Sequence, residues 1–384
     1  MKILISTDSI KYPLTGIGRY TYELISHLEE LGVCDEILFS NKLSVKSKYE
    51  CEVSSGSGGK NSAIISFLKK QGPLVDVIGS IYPFIRGASL RNHKDYIYHG
   101  TGYYLPAMHQ KCIATFHDIS NFTCPQFHPD ERIRYMNKQL VSSMKRAAAI
   151  ISVSEFTKFE LIKHCGYSPE NIYVTQLACS PDYHPRSQDD VLPLLQKLQL
   201  NWQQFTLFIG SIEPRKNIAA LLDAYESLPL NIRSRYPLVI CGHHGWKSEH
   251  LHQRFAKAKQ QGWLKYIGFI AQDELPLLYA AARTFVFPSH YEGFGLPVLE
   301  AMASGIPVVC SNAASLPEVT GDAALQSSPE DIDMLRFNIE KSLLDDNWRD
   351  LAICRGFARA RYFSWERCAR ETFAVYQNIQ KGIE

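Results

Sequence analysis

Hydrophobic and polar positions along the chain alternate between short apolar runs and amphipathic segments. The first repeat is an apolar strand at residues 2–6, a turn containing Gly16 and Gly18, and an amphipathic helix over residues 19–31. Further short apolar runs predict strands, and helical patterns follow them. These runs lie at residues 95–99, 111–116, 148–153, 205–209, 237–241, 264–269, 284–287 and 306–310.

The alternation is interrupted around residues 180–200, where Ser180 to Pro185 has the composition of a turn and linker. A second strand–helix alternation follows it. Such alternation builds parallel sheets, so we predict an α/β protein with two doubly wound domains, at residues 1–183 and 184–363. Ligands of these sheets bind beyond the carboxyl ends of the strands, which is where the polar motifs fall.

The most informative motif follows the apolar run at 284–287. It contains Gly293 and Gly295, together with Glu292 and Glu300, at the start of a predicted helix. A helix N-terminus preceded by glycine presents unpaired amide groups that suit a phosphate. Glutamates beside it are better suited to accept hydrogen bonds from neutral hydroxyls. Amides that suit an anion lie next to carboxylates that suit hydroxyls. This combination predicts a site for a nucleotide-sugar.

A second motif follows the first strand of the second domain and contains Arg215 and Lys216. Adjacent cations at a strand-to-helix turn suit a diphosphate, since arginine offers a planar fork and lysine a point charge. Alone, such a pair is typical of a solvated basic turn. Its place at the ligand edge of the same sheet as Glu292 and Glu300 favours a functional role.

Composition and charge narrow the function classes. The chain has 384 residues, a formal net charge of +2 and ten cysteines without a Cys-x-x-Cys pair, so it favours neither nucleic-acid binding nor a disulfide framework. The N-terminus does not read as a signal peptide, and no window approaches the ~18 apolar residues of a membrane span. We therefore expect a cytoplasmic protein with at most peripheral membrane contact. The basic helix over residues 132–146 is interpreted as a solvated face, with a membrane or acceptor patch as the alternative.

Several weaker motifs also have a plain structural interpretation. The glycine- and serine-rich segment 54–60 resembles a phosphate loop, but Asn61 stands where serine or threonine is required. The turn Gly242 to Trp246 holds adjacent histidines that diverge, which argues against zinc. His117-Asp118 is either a polar site pair or a structural strand end, and neither half of the chain has the Gly-x-Gly-x-x-Gly of a dehydrogenase.

Together these motifs resemble the retaining glycosyltransferases of family 4, and within that family the bacterial mannosyltransferases of O-antigen assembly. The resemblance rests on Gly16–Gly18, His117–Asp118, Ser152–Phe156, Glu213–Asn217, Gly242–Trp246 and Glu292–Glu300. It implies the GT-B fold, in which two Rossmann-like domains face each other across a cleft. It also implies that a C-terminal helix, residues 364–384 here, crosses back to the first, acceptor-side domain.

The resemblance assigns roles by position. Glu292 would hold the donor sugar, Glu300 the ribose, and Arg215 with Lys216 the diphosphate, while Ser211 stands where many members have arginine. The implied catalytic residues are His117, Arg215, Lys216 and Glu292. The implied donor-binding residues are Gly16, Gly18, Ser211, Gly268, Phe269, Gly293, Phe294, Gly295, Leu296 and Glu300, and acceptor-side positions are assigned to Tyr103, Tyr104, Asp118 and Ser154.

The implied reaction moves a hexose, mannose from GDP-mannose, to a lipid-linked or oligosaccharide acceptor of lipopolysaccharide O-antigen with retained configuration. It needs no metal or other cofactor, and other polysaccharide-assembly enzymes are the implied partners. A transferase using a UDP-sugar or another nucleotide-sugar, a GT-B epimerase or phosphorylase, and a non-catalytic binding protein remain alternatives. The residues leave the base, the acceptor linkage and the oligomeric state open.

Overall fold

The computed structural model describes residues 1–12, 14–49, 52–53, 72–107 and 111–381, and at residues 52–53 and 72–80 it describes the backbone. The segment 54–60 lies outside these ranges. The chain divides into two compact units. The first comprises Met1–Leu177 and the chain from Trp365 onward, and the second comprises Ala178–Ser364.

The first unit is built on a mostly parallel sheet. Its strands are β1 (Lys2–Ser6), β2 (Lys11–Tyr12), β3 (Glu36–Asn41), β4 (Ser44–Lys46), β5 (Glu52–Val53), β6 (Ile97–Gly100), β7 (Cys112–Phe116), β8 (Ala149–Ser152) and β9 (Ile172–Val174). Seven of them form one sheet in the order β4-β3-β1-β6-β7-β8-β9, in which β4 is antiparallel. Strands β2 and β5 pair separately. Strands β6, β7 and β8 are buried throughout, as expected when helices cover both faces of a parallel sheet.

In the described part of the first unit, five helices precede the second unit in the chain. They are α1 (Gly16–Leu31), α2 (Gly72–Ser89), α3 (Ser120–Thr123), α4 (Asp130–Met144) and α5 (Glu155–Cys165). Helix α1 begins at Gly16, whereas the sequence predicted a start near residue 19. The reason is a cap: the Thr15 hydroxyl accepts a hydrogen bond from the Gly18 amide at 3.2 Å. Both glycines therefore lie in the first helical turn and not in the turn before it.

The second unit contains a fully parallel sheet. Its strands are β10 (Thr206–Ile209), β11 (Leu238–Cys241), β12 (Leu264–Gly268), β13 (Thr284–Phe287), β14 (Val308–Ser311) and β15 (Ala324–Ser327). Their order is β12-β11-β10-β13-β14-β15. The chain runs outward from β10 in one direction and then returns to start β13 on its other side. This strand order is that of the doubly wound dinucleotide-binding fold.

Nine helices accompany the second sheet among the described residues. They are α6 (Gln188–Leu198), α7 (Ile218–Glu226), α8 (Leu230–Arg235), α9 (Glu249–Gln260), α10 (Leu275–Ala281), α11 (Leu296–Ala303), α12 (Leu316–Thr320), α13 (Ile332–Leu344) and α14 (Asp346–Ala360). The predicted double alternation of strands and helices is thus confirmed.

The last helix, α15 (Trp365–Lys381), belongs to the first unit and packs against α1. The Tyr376 hydroxyl lies 2.6 Å from His99 Nδ1, and His99 Nε2 lies 2.8 Å from the Thr115 hydroxyl. These groups are buried, and their hydrogen bonds join the helix to strands β6 and β7. The predicted return of the C-terminal helix is confirmed. Within the described residues, no helix combines the length and apolar character needed to cross a bilayer.

Candidate active site

The candidate site of the second unit lies where its strand order switches. Strands β10 and β13 are neighbours, and their following connections lead to opposite sides. Two loops leave the carboxyl ends of these strands, residues 210–217 after β10 and 288–295 after β13. In open α/β sheets a ligand crevice forms at this position.

A buried charge cluster joins these two loops. Lys216 Nζ lies 2.6 Å from one carboxylate oxygen of Glu292, and Arg215 Nη1 lies 3.0 Å from the other. The second guanidinium nitrogen of Arg215 donates to Glu213 at 2.8 Å. Lys216 and Glu292 are each only 7% exposed. Two cations and two carboxylates give the cluster no formal net charge.

Burial and pairing act on the Glu292 carboxyl in opposite directions. Burial alone raises its pKa, but Arg215 and Lys216 together lower it to about 2. The carboxylate is therefore ionised at neutral pH. Burial lowers the pKa of the Lys216 ammonium, and the adjacent Glu292 opposes that effect.

Backbone carbonyls and short side chains fix both loops. Arg215 Nη1 donates to the Tyr291 carbonyl at 2.6 Å. Asn217 has a φ of 54° and donates from its amide to the carbonyls of Pro288, at 3.2 Å, and Pro329. The Ser315 hydroxyl lies 2.9 Å from the Glu292 carbonyl and 2.7 Å from that of Phe294. The carboxylate and the two cations are thus held on a rigid frame.

Helix α11 begins beside the cluster. Gly295 precedes it with a φ of 119°, and a Cβ there would lie 2.8 Å from Leu316 Cδ2. Pro297 has no amide hydrogen, and the Val298 and Leu299 amides donate to the Gly295 carbonyl at 3.1 and 3.2 Å. An anion at this helix start would therefore be met by the Gly295 and Leu296 amides. Glu300, one turn later, accepts a hydrogen bond from the Tyr279 hydroxyl at 3.0 Å. Phe294 is buried with its ring against Phe363, so its side chain anchors the loop in the core.

Other predicted donor residues lie at the same sheet edge. Gly268 ends β12 with a φ of 74°, and the following Phe269 is 65% exposed. Ser211 follows β10 and is half-buried. The neighbouring strand ends pack so closely that a Cβ on Gly242 would lie 1.9 Å from the Gly210 carbonyl oxygen.

In the first unit, His117 is the predicted catalytic group. Its Nε2 lies 2.9 Å from the Thr101 carbonyl oxygen, which only accepts, so this nitrogen carries the hydrogen. Its ring meets the edge of Tyr20 at 4.9 Å, and burial lowers its pKa. The imidazole is therefore neutral, and its Nδ1 is a hydrogen-bond acceptor.

Gly18 packs closely on the backbone of Ser9, because a Cβ on Gly18 would lie 2.6 Å from the Ser9 carbonyl oxygen.

The predicted acceptor-side residues divide by environment. The Asp118 carboxylate accepts from the amide and hydroxyl of Ser120, and Ser154 is a fully buried cap of α5. Tyr103 packs against Phe116 in the core. Tyr104 lines a cavity of the first unit. The structure therefore groups Tyr104 with residues that the sequence did not single out.

Two histidines of the second unit stack on each other. The rings of His244 and His252 are parallel with centroids 4.1 Å apart. Among the described residues, no three histidine, cysteine or carboxylate side chains are grouped as a metal would require.

Sequence reasoning missed three features. Glu213 was noticed only as part of a motif, although it pairs with Arg215, and Ser315 gave no signal before its loop was placed. In the first unit, Asp8 forms an ion pair with Arg86. A carboxylate two residues beyond β1 was a usable signal for a strand-end site.

Comparison with solved structures shows which fold the chain has. HepE of Anabaena in complex with UDP and glucose superposes with a TM-score of 0.70 at 17% identity, covering 98% of this chain and 99% of that one. WaaG, a glycosyltransferase involved in lipopolysaccharide biosynthesis, gives a TM-score of 0.69 at 16% identity, covering 96% and 98%. At this identity the likeness concerns the fold, which is that of the GT-B glycosyltransferases.

Sequence comparisons give the family. Residues 195–357 match the model for glycosyl transferases group 1, and residues 14–178 match that for glycosyltransferase family 4. The O-antigen chain mannosyltransferase B of Escherichia coli is 48% identical over 379 residues, covering 98% of this chain and all of that protein. The chain belongs to the family 4 glycosyltransferases and is an enzyme of that class.

Proposed function

We propose that the enzyme transfers mannose from GDP-mannose to a lipid-linked glycan during O-antigen synthesis, with retention of the anomeric configuration. The name of the E. coli relative supports the sugar and the process. The charge cluster of Arg215, Lys216 and Glu292 at the strand-order switch is the observation that carries the proposal. It combines groups for a diphosphate with a carboxylate for sugar hydroxyls.

When the donor binds, the charged groups of this cluster change their hydrogen-bond partners. The cluster has no net charge, so a diphosphate would bring two uncompensated negative charges into a buried place. Sugar hydroxyls donate to Glu292, and the carboxylate then no longer needs both cations as partners. Arg215 and Lys216 turn to the diphosphate. The Gly295 and Leu296 amides at the start of α11 add to them, and Glu300 takes the ribose hydroxyls.

The same groups promote the reaction. As the bond between the anomeric carbon and the diphosphate breaks, negative charge grows on the leaving oxygen, where Arg215, Lys216 and the Gly295 and Leu296 amides stabilise it. The acceptor hydroxyl attacks from the same face, and its proton passes to the departing diphosphate. In this complex Glu292 serves the sugar hydroxyls, so we assign no covalent nucleophile.

The remaining assignments follow the family resemblance. The second unit binds the donor and the first unit serves the acceptor. His117 contacts the transferred sugar, while Gly16 and Gly18 approach the donor and Phe269 lies near the base. Tyr103, Asp118 and Ser154 stay predictions for the acceptor side.

The proposal also includes a place of action. We propose that the enzyme works in the cytoplasm at the inner face of the membrane that carries its lipid-linked acceptor. Other enzymes of polysaccharide assembly are its proposed partners, and the donor diphosphate is bound without a metal.

The test is a donor screen combined with product analysis. GDP-, UDP-, ADP- and dTDP-sugars are compared by thermal shift, because a ligand that binds the folded state raises its stability. We expect a shift with GDP-mannose and an α-mannosyl product whose anomeric configuration is read by NMR. A shift with UDP-sugars alone would replace the donor, an inverted product would refute retention, and sugar interconversion without acceptor would indicate an epimerase.

Matched lysine variants test the site. Lys216→Ala should abolish transfer while the chain stays folded. Lys197→Ala serves as the control, because Lys197 is an exposed lysine of the same unit that pairs with Glu274 at 2.6 Å. Full transfer activity in Lys216→Ala would overturn the assignment of the cluster.

A further inference from the structure

The first unit has its own strand-order switch, between β1 and β6. The chain runs from β1 outward to β3 and then returns to start β6 on the other side of β1. A cavity of about 330 Å³ opens at this place, next to the carboxyl ends of both strands. Asp8, Tyr82, Arg86, Tyr104 and Tyr135 contribute to its lining.

The cavity floor is a buried ion pair. The Arg86 side chain is 2% exposed and donates to the Asp8 carboxylate and, at 3.2 Å, to the Ser40 hydroxyl. Asp8 also accepts from the Lys42 amide at 2.6 Å. The Asp8 side chain is 35% exposed, so its carboxylate reaches the cavity with acceptor capacity left. Arginine and aspartate together leave this floor without net charge.

Two polar atoms at this site are buried without a partner. Within the described part of the chain, neither Arg86 Nε nor the Tyr104 hydroxyl makes a hydrogen bond. Buried polar groups normally have partners, and leaving one unpaired costs ~1–3 kcal/mol. Both atoms belong to residues that line the cavity, so this wall is polar and its hydrogen bonds are incomplete within the protein itself.

The walls are aromatic. Tyr82 and Tyr104 lie with ring centroids 6.0 Å apart, and half-buried Tyr135 adds a third tyrosine. Aromatic faces cover the apolar faces of a sugar ring, while hydroxyl, carboxylate and guanidinium groups pair with its hydroxyls. The volume lies at the low end of ligand pockets, about 300–1,000 Å³. It suits one monosaccharide unit.

We propose that this cavity binds the terminal hexose of the acceptor glycan, an inference that rests on the proposed function for the reaction it serves. Lys11 and Lys42 are exposed at its rim and make an anion the competing ligand. The neutral floor favours the uncharged sugar, since Asp8 already compensates Arg86. The site adds Asp8, Arg86 and Tyr135 to Tyr104 as acceptor-binding residues.

Binding without turnover tests the cavity independently of the reaction. α-Mannobiose, chitobiose and pyrophosphate are titrated against the full chain and against Tyr135→Ala, with binding followed by ligand-observed NMR. We expect the chain to bind a disaccharide and Tyr135→Ala to bind it about tenfold more weakly, which corresponds to ~1.4 kcal/mol. No disaccharide binding, binding of pyrophosphate alone, or equal binding by the variant would each overturn the proposal.

Kinetics then separate this site from the donor site. Tyr135→Ala should raise the KM for the acceptor about tenfold and leave the thermal shift with GDP-mannose unchanged. Tyr22→Ala is the matched control, because Tyr22 lies on α1 outside the cavity, is also exposed in part and packs on Tyr49. Asp8→Asn probes the floor, and its folding is checked first because it leaves Arg86 without a counter-charge. Failure of GDP-mannose to bind would refute the proposed donor, and it would leave the conclusion from disaccharide binding unchanged.

Discussion

Replacing Glu292 with glutamine is the sharpest test of the charge cluster, because it removes one charge and keeps the shape. Glu292 joins Lys216 at 2.6 Å and Arg215 at 3.0 Å in a buried place. Breaking a buried pair from one side costs ~3–5 kcal/mol, since the remaining charge is left uncompensated.

The acidity of Glu292 gives a second measure of the same interaction. Its pKa of about 2 lies well below the ordinary 4.5. A depressed carboxyl pKa stabilises the folded chain above the unfolded value, here by about 3 kcal/mol, and this contribution is lost as the pH falls from about 4.5 to about 2. Urea unfolding at pH 7 and at pH 3 measures it. Glu292→Gln should be about 3 kcal/mol less stable at pH 7, with a smaller deficit at pH 3.

Ligand binding by the same variant tests the exchange of partners. Freed from Glu292, Arg215 and Lys216 should bind the diphosphate of GDP more tightly, by about tenfold if one charged hydrogen bond of ~1.5 kcal/mol is gained. GDP-mannose should lose its advantage over GDP, because the sugar hydroxyls lose their charged acceptor. Transfer should fall by about a hundredfold, from the loss of ~1.5–3 kcal/mol per charged hydrogen bond.

Calorimetric titration of GDP and GDP-mannose, below the melting temperature of the variant, decides between the outcomes. Weaker binding of GDP by Glu292→Gln would show that the carboxylate positions the cations for the diphosphate, and the exchange of partners would be wrong. Unchanged stability at pH 7 would show that the pair contributes nothing to folding.

Two further predictions concern buried hydrogen bonds, one set at the candidate site and one at the last helix. Ser315→Ala removes the hydroxyl that contacts two buried loop carbonyls, so we expect a loss of ~1–3 kcal/mol in urea unfolding and a raised KM for the donor. Restored KM in Ser315→Thr would support a positioning role, and an unchanged KM in Ser315→Ala would refute it. Tyr376→Phe leaves His99 Nδ1 unpaired and should destabilise the chain by ~1–3 kcal/mol, with a midpoint shift in thermal unfolding as the measurement. An unshifted midpoint would mean that this network does not hold α15.

The regular elements were predictable where burial leaves a plain pattern. Strands β10, β11 and β13 are apolar runs that are almost entirely buried, and the sequence placed each within about one residue. Strand β3 begins with an exposed glutamate and is only partly buried, and β9 has three residues, so neither stood out. The start of α1 was misplaced because the capping threonine lies outside the apolar pattern.

The candidate site was predictable as a place and not as a set of contacts. Residues after β10 and β13 had to meet if the two strands were neighbours in a parallel sheet, and this brought Arg215, Lys216 and Glu292 to one edge. The pairing of Lys216 with Glu292 joins positions 76 residues apart and depends on strand register and rotamers. The Asp8–Arg86 pair spans 78 residues and was missed, because Arg86 lies in a helix with no motif of its own.

Both strand-order switches share one arrangement, in which a cation is neutralised by a carboxylate of the same unit. An unpaired cation would attract any anion, and the buried charge would destabilise the folded chain without ligand. Pairing removes both problems, because an anion gains the cations only when another group takes over the carboxylate. Sugar hydroxyls are such groups, so a diphosphate joined to a sugar is favoured over a bare diphosphate. In the second unit this selects a nucleotide-sugar, and in the first, where the pair faces tyrosines, it selects a sugar.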